Sequence, residues 1–262
     1  MPFEIDRFSH IESTVQRWDP RIKIVSLGFF IFVVALLKTI PVAVASLLIA
    51  LIIIKITNIP FHFVANSIKL VIIFLAPFFF MLPFSYPGEA AFHIIGLPFA
   101  LEGLRLSILI FTKAVAIVLT TDAIFGSSRF DISMIAMQHL KCPKVLVQMI
   151  LFTYRYIFVF IDEIKRMEKA MRSKGFVMKA NMNTLRTMGN FVGALLIRSF
   201  ERTSRVYSAM LSKGYEGELH TMVTFKAQGK DFVKAGVVIV VTVAVLTADL
   251  IGLFPTAIKG WY

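Results

Sequence analysis

Ser-Lys-Gly occurs twice in this 262-residue chain, at Ser173-Lys174-Gly175 and Ser212-Lys213-Gly214. The two copies belong to a longer repeat, because Arg166 to Phe176 aligns without gaps to Arg205 to Tyr215 and six of eleven residues are identical. Unrelated segments share roughly one. One turn upstream Asp162 pairs with Glu201, so both copies read acid, three residues, Arg, three residues, Ala-Met, one residue, Ser-Lys-Gly, aromatic. That four-residue spacing is helical, and an acid four residues before a base supports a helix. Gly175 and Gly214 can take the left-handed conformation that ends a helix, with Lys174 and Lys213 where the helix dipole favours a cation. The chemistry this allows is recognition. Two basic tips in matched register suit a two-fold symmetric soluble partner with acidic grooves.

Other reactive groups point to little catalysis. His139 and Cys142 are three apart, but Pro143 follows and no further ligand is near, while His10, His62, His93 and His220 are isolated, so no metal and no cofactor is expected. No Gly-x4-Gly-Lys-Ser/Thr loop is present. Any ATP-driven work therefore falls to a partner. An integral membrane enzyme holding pyrophosphate through magnesium needs clustered carboxylates, and the one adjacent acidic pair, Asp162-Glu163 with Glu168 after it, lies in a basic helix. Nucleic acid is not expected either, because the basic charges alternate with acids and lack interleaved aromatics.

The elements that position these residues follow from composition. With 57% hydrophobic residues, 26 Phe and only 17% charged residues, the chain reads as an all-α integral membrane protein. A bilayer core needs roughly 20 apolar residues per helix. Five stretches qualify or nearly so: 24–37, 39–54, 70–88, 104–125 and 235–258. Lys38 and Pro41 mark a tight turn between the first two. Lys113 and Asp122 lie inside the fourth on opposite faces, and Asp249 lies inside the fifth, where a basic group on a neighbouring helix is its expected partner. Asp122, Asp249, Asp162 and Glu201 are the candidates for structural ion pairs. A further apolar stretch, 145–161, is read as a helix lying on the membrane surface.

Charge sets the orientation. The net charge is +12, and residues 126–231 hold 17 basic against 8 acidic residues, whereas 86–103 has no Lys or Arg. By the positive-inside bias the N-terminus and 126–231 are cytoplasmic, and the 86–103 loop, with Glu89 and Glu102, is external. The first 23 residues lack a cleaved signal pattern and read as an amphipathic segment of the mature protein. Residues 1–125 thus form that segment and spans one to four, 126–231 a cytoplasmic coupling module, and 232–262 the last span. Within the module Pro143 opens one helix and Asn183 or Thr184 caps another, each about thirty residues and roughly 45 Å long.

Through Asp19-Pro20-Arg21-Ile22-Lys23, the stretch from Arg155-Tyr156 to Asp162-Glu163, and the two Ser-Lys-Gly motifs, nearly the whole chain resembles the transmembrane coupling subunit of energy-coupling factor (ECF) transporters, the EcfT family, most closely its CbiQ-type cobalt-uptake members. In that family the paired motifs are usually Ala-Arg-Gly and end two long coupling helices that dock on two ATP-binding-cassette (ABC) ATPase subunits. Carried over, the docking residues are Ser173, Lys174, Gly175, Ser212, Lys213 and Gly214. Lys replaces Arg in both, and a point charge lacks Arg's bidentate fork, so docking leans more on Arg166, Arg172 and Arg205. The resemblance further implies a membrane substrate-binding subunit, a non-catalytic role for this chain in the cell membrane, and cobalt as cargo, with nickel or a vitamin next.

Overall fold

A computed structural model describes residues 18–57, 59–85, 90–94, 97–217, 225 and 227–251. The N-terminal amphipathic segment before residue 18, Glu89, and the span reading beyond residue 251 lie outside the described residues. Helix α1 (Pro20–Leu36) starts where the sequence dictates: Pro20 takes the first helical position and the Asp19 carboxylate accepts from the Arg21 N–H at 2.9 Å. Burial by itself would raise the Asp19 pKa, but the hydrogen bonds from Arg21 outweigh it and hold the carboxyl below its ordinary value. Helix α2 (Ile40–Thr57) follows after three residues, and α3 (Phe61–Ser85) carries Pro77 and Pro83 inside it. Strands β1 (Ala90–Ile94) and β2 (Leu97–Ala100) form an antiparallel hairpin leading into α4 (Leu101–Gly126). Glu102 therefore sits in the first turn of α4, where the dipole favours an acid, and not in a loop. Helix α5 (Phe130–His139), α6 (Lys144–Ser173), α7 (Met182–Leu211) and α8 (Gly229–Leu250) complete the described chain.

Two compact units emerge, one holding residues 3–136 and 224–262, the other 137–223. The first is a bundle of α1, α2, α3, α4 and α8. Its core joins Phe30 and Val34 of α1, Ala50 of α2, Ala116 and Leu119 of α4 and Val245 of α8. Small buried residues Ala43, Ser46 and Ala50 run along α2 at helical spacing and let α4 approach closely, the packing expected between helices in lipid. Hydroxyls along α4 bond back to carbonyls one turn earlier, Ser107 to Gly103 and Thr120 to Ala116 among them, so they need no water. Helix α3 turns Ile73, Phe74, Phe80 and Met81 outward, an apolar surface suited to acyl chains.

Polar contacts settle which helix ends meet. At one end the Lys23 ammonium, fully buried, donates to the hydroxyls of Ser127 and Ser128 just past α4. At the same end the Arg21 guanidinium lies 5.0 Å from the Phe225 ring centre, four residues before α8, and Gly126 faces Ile59 of the α2–α3 link. At the other end the Asp249 carboxylate meets the α1–α2 turn. The chain thus leaves this bundle after α4 and re-enters it before α8 at one and the same end.

Because Ser127, Ser128, Ser133 and Met134 are buried and Asp231 belongs to the capping box of α8, the compact second unit is shorter than the 126–231 stretch marked out by charge. By length and hydropathy α2, α3, α4, α6 and α8 are each able to cross a membrane; α1, at 17 residues, is the short one. Glycine is required at 103, where α4 passes α3. A Cβ there would lie 2.6 Å from the Leu82 carbonyl oxygen and 2.8 Å from the Pro83 Cα, both backbone atoms that cannot swing aside. Gly103→Ala is therefore expected to cost about 1–3 kcal/mol, read as a lower unfolding midpoint of the purified protein in detergent. An unchanged midpoint would mean that the two helices stand further apart.

Candidate coupling site

The second unit is built on α6 and α7, each of 30 residues. Both end in the same way. At α6 the Gly175 N–H bonds to the Arg172 carbonyl and the Phe176 N–H to the Met171 carbonyl; at α7 Gly214 bonds to Leu211 and Tyr215 to Met210. This pair of bonds is the Schellman closure, and it requires the left-handed conformation that Gly175 (φ +82°) and Gly214 (φ +84°) adopt. Ser173, Lys174, Ser212 and Lys213 are exposed around the two turns, as are Arg166, Arg172 and Arg205. The Ser212 hydroxyl bonds back to the Ser208 carbonyl.

The start of α7 differs from expectation by two residues. Asn181, not Asn183 or Thr184, is the cap, its side chain accepting from the Thr184 N–H at 2.8 Å, while the Thr184 hydroxyl accepts from the Lys179 N–H. Pro143 stands just before α6 rather than within its first turn.

Side-chain contacts fix how the two helices run. The Tyr215 hydroxyl, past the end of α7, donates to Gln148 near the start of α6 at 3.1 Å. Mid-length, the Arg198 guanidinium donates to Glu163. Near the other end Met188 and Phe191 of α7 face Glu168 and Met171 of α6. The helices are therefore antiparallel, and the two basic tips lie at opposite ends of the pair, about 45 Å apart for thirty residues of helix. The tips form two separate stations facing away from each other, unlike a pair of adjacent prongs.

Ion pairing also departs from the repeat's spacing. Arg166 reaches Glu163, three residues back, at 3.3 Å, whereas Asp162 and Glu201 are exposed and form no ion pair among the described residues. The Arg198 hydrogen bond, aided by the Arg166 and Arg202 charges, holds Glu163 below the ordinary carboxylate range despite partial desolvation. Arg172 pairs with Glu168 at 2.6 Å. Glu163 and Arg198 were not legible beforehand. At an offset of 39 the repeat matches Met149 with Met188 and Phe152 with Phe191 further upstream, but it sets Glu163 against Arg202 and Arg198 against Val159, so it carries no signal for this pair.

Asp122 and Asp249 belong to the bundle. Asp122 contacts the Ser67 hydroxyl, and one of its oxygens is buried with no hydrogen-bond partner. Asp249, expected to face a basic side chain, instead accepts from the N–H groups of Lys38 and Thr39 and from the Thr39 hydroxyl, which caps α2. Lys113 donates to the Ala35 carbonyl at the end of α1 at 2.8 Å, with the Asp249 charge in electrostatic reach. An anion thus meets the positive end of α2 and a cation the negative end of α1. His139 closes α5 and Cys142 follows; among the described residues no three metal-ligating side chains come together.

Paired, exposed, lysine-bearing helix ends on a duplicated amphipathic unit, joined to an apolar bundle, match a known pattern. A family model described as CbiQ, cobalt transport protein, matches residues 12–223. The chain belongs to the CbiQ family. It is a transmembrane T component of the ECF transporter type, and a multi-pass membrane protein. An energy-coupling factor transporter transmembrane protein EcfT of Macrococcus caseolyticus is 25% identical over 225 residues, 82% of this chain and 85% of its own. A cobalt transport protein CbiQ of Rhodobacter capsulatus is 25% identical over 112 residues, covering 42% of this chain and 44% of its own. An uncharacterized protein of Methanocaldococcus jannaschii is 26% identical over 253 residues, 93% of this chain and 86% of its own. As a CbiQ-family chain, it has its family match across α1 to α7, which hold both tips and all of the bundle but α8.

Proposed function

We propose that this CbiQ-family protein is the connector of an ATP-driven importer, taking up the motion of two cytoplasmic ABC-type ATPase subunits at Lys174 and Lys213 and passing it to a membrane substrate-binding subunit. Cobalt(II) is the cargo, in line with the family's description. The observation that carries the reading is the identical Schellman closure at both ends of one antiparallel pair, which presents the same basic tip twice. A pair of motor subunits needs such a doubled handle.

Topology supports the same reading. The chain leaves and re-enters the bundle at one end, so the intervening segment contains an even number of crossings. Helix α6 is apolar enough to span, but α7, with Arg186, Arg198, Glu201, Arg202 and Arg205, does not meet that criterion and offers no return crossing. On this reading both helices stay on one side of the membrane with α1, α2, α3, α4 and α8 as the five spans, and the 17 basic residues of 126–231 support the cytoplasm as that side.

The test is co-expression with neighbouring ATPase and small membrane-protein genes. The intact chain is expected to co-purify with an ABC-type ATPase and to support ATP-dependent uptake of radioactive cobalt(II). Lys174→Glu with Lys213→Glu is expected to reduce the co-purified ATPase more than tenfold, because each reversal replaces an attraction to an acidic groove with a repulsion. Undiminished co-purification would end the proposal.

A further inference from the structure

The duplication creates two grooves as well as two tips. Beside the α7 tip, Met149 and Phe152 of α6 face Met210 and Tyr215, enclosing about 370 Å³. Beside the α6 tip, Met188 and Phe191 of α7 face Met171 and Phe176, enclosing about 510 Å³. Every residue of the second set is the offset-39 counterpart of one in the first. An antiparallel pair built from a repeat has a local two-fold axis normal to its plane, which carries one groove onto the other on the same face.

Resting on the coupling role proposed above, we infer that the two grooves are unequal versions of one ATPase docking site, with the α7 end the tight anchor and the α6 end the weak, adaptable one. The occupant is the same kind of subunit at both ends: an apolar ridge for the groove, flanked by carboxylates for the adjoining lysine. Repeat-related residues at both ends argue for it, since a shared lining selects a shared shape.

Three differences set the order. Tyr215 locks the α7 end by donating to Gln148, so that wall is in place before a partner arrives. At the α6 end Phe176 has no hydroxyl, and Thr187, which stands where Gln148 does, bonds to its own helix at Asn183. Second, Glu168 lies in the α6 groove where Tyr207 lies in the other, and it ties up Arg172. Third, Met178 joins Met188 in the α6 groove and is 74% exposed; flexible thioether side chains adapt to a partner but lose rotamer freedom when it binds.

The experiment titrates the purified ABC subunit that co-purifies with the chain, as monomer, against the full-length protein in nanodiscs. Lys174→Glu leaves only the α7 end and Lys213→Glu only the α6 end. The first is expected to bind at least tenfold tighter than the second. Adding Tyr215→Phe to Lys174→Glu, a change of one hydroxyl, is expected to weaken binding roughly fivefold, the effect of about one hydrogen bond. Adding Phe176→Tyr to Lys213→Glu is expected to change nothing, because Thr187 stands in place of Gln148 and its hydroxyl is engaged with the Asn183 carbonyl. Equal affinities of the two single variants, or no effect of Tyr215→Phe, overturn the inequality and leave the connector role standing. No binding to the unsubstituted protein overturns both.

Discussion

Asp249→Ala is expected to be the most destabilising single change in the bundle, lowering stability by about 3 kcal/mol. Loss of a helix cap costs about 1 kcal/mol, and leaving buried donors without acceptors costs about 1–3 kcal/mol more. Here one carboxylate serves the Lys38 N–H, the Thr39 N–H and the Thr39 hydroxyl. Thr39 is buried, so water does not freely replace the carboxylate on its two donors, whereas the exposed Lys38 N–H can turn to water. The cap also joins α8 to the α1–α2 turn, with the Lys113 contact to Ala35 beside it, so its loss affects three helices together. Asp249→Asn keeps one acceptor oxygen and is expected to cost about 1 kcal/mol. Denaturant titration of the purified protein in detergent reads both. If Ala and Asn behave alike, the carboxylate is not a cap.

The second large effect is functional. Gly175→Val together with Gly214→Val is expected to abolish uptake while leaving the bundle's unfolding midpoint unchanged. Both glycines hold positive φ, a conformation that costs a residue with Cβ about 1–2 kcal/mol and a β-branched one more. No atom lies within 4 Å of where a Cβ would stand at either site, so the cost is conformational and not steric. The helix end relaxes it by giving up the two Schellman bonds, and Lys174 and Lys213 then point elsewhere. Gly175→Asn with Gly214→Asn is the control, because Asn tolerates this conformation, and it is expected to retain most uptake. Equal loss with Asn and Val would show that absence of a side chain matters more than the backbone angle.

Whatever depends on neighbours in sequence was legible. The glycine ends of α6 and α7, the repeat and the apolar stretches that became α2, α3, α4 and α8 all rest on local propensity, periodicity or composition, which spacing encodes directly. Even there local signals competed: Asn181, Asn183 and Thr184 are all able to cap α7, and only the bond from the Thr184 N–H singles out Asn181.

What tertiary structure alone decided is which distant groups meet. Arg166 chose Glu163 over Asp162 because Arg198, 35 residues on, pins that carboxylate between the helices. Lys23 found two serines more than a hundred residues away, and Asp249 found a backbone turn with the Lys113 charge beside it. The antiparallel run of α6 and α7, which turns two adjacent-looking tips into stations at opposite ends, rests on contacts such as Tyr215 to Gln148. A repeat specifies that two helices are alike; only burial of their shared apolar faces and pairing of the charges between them specifies the direction in which they lie.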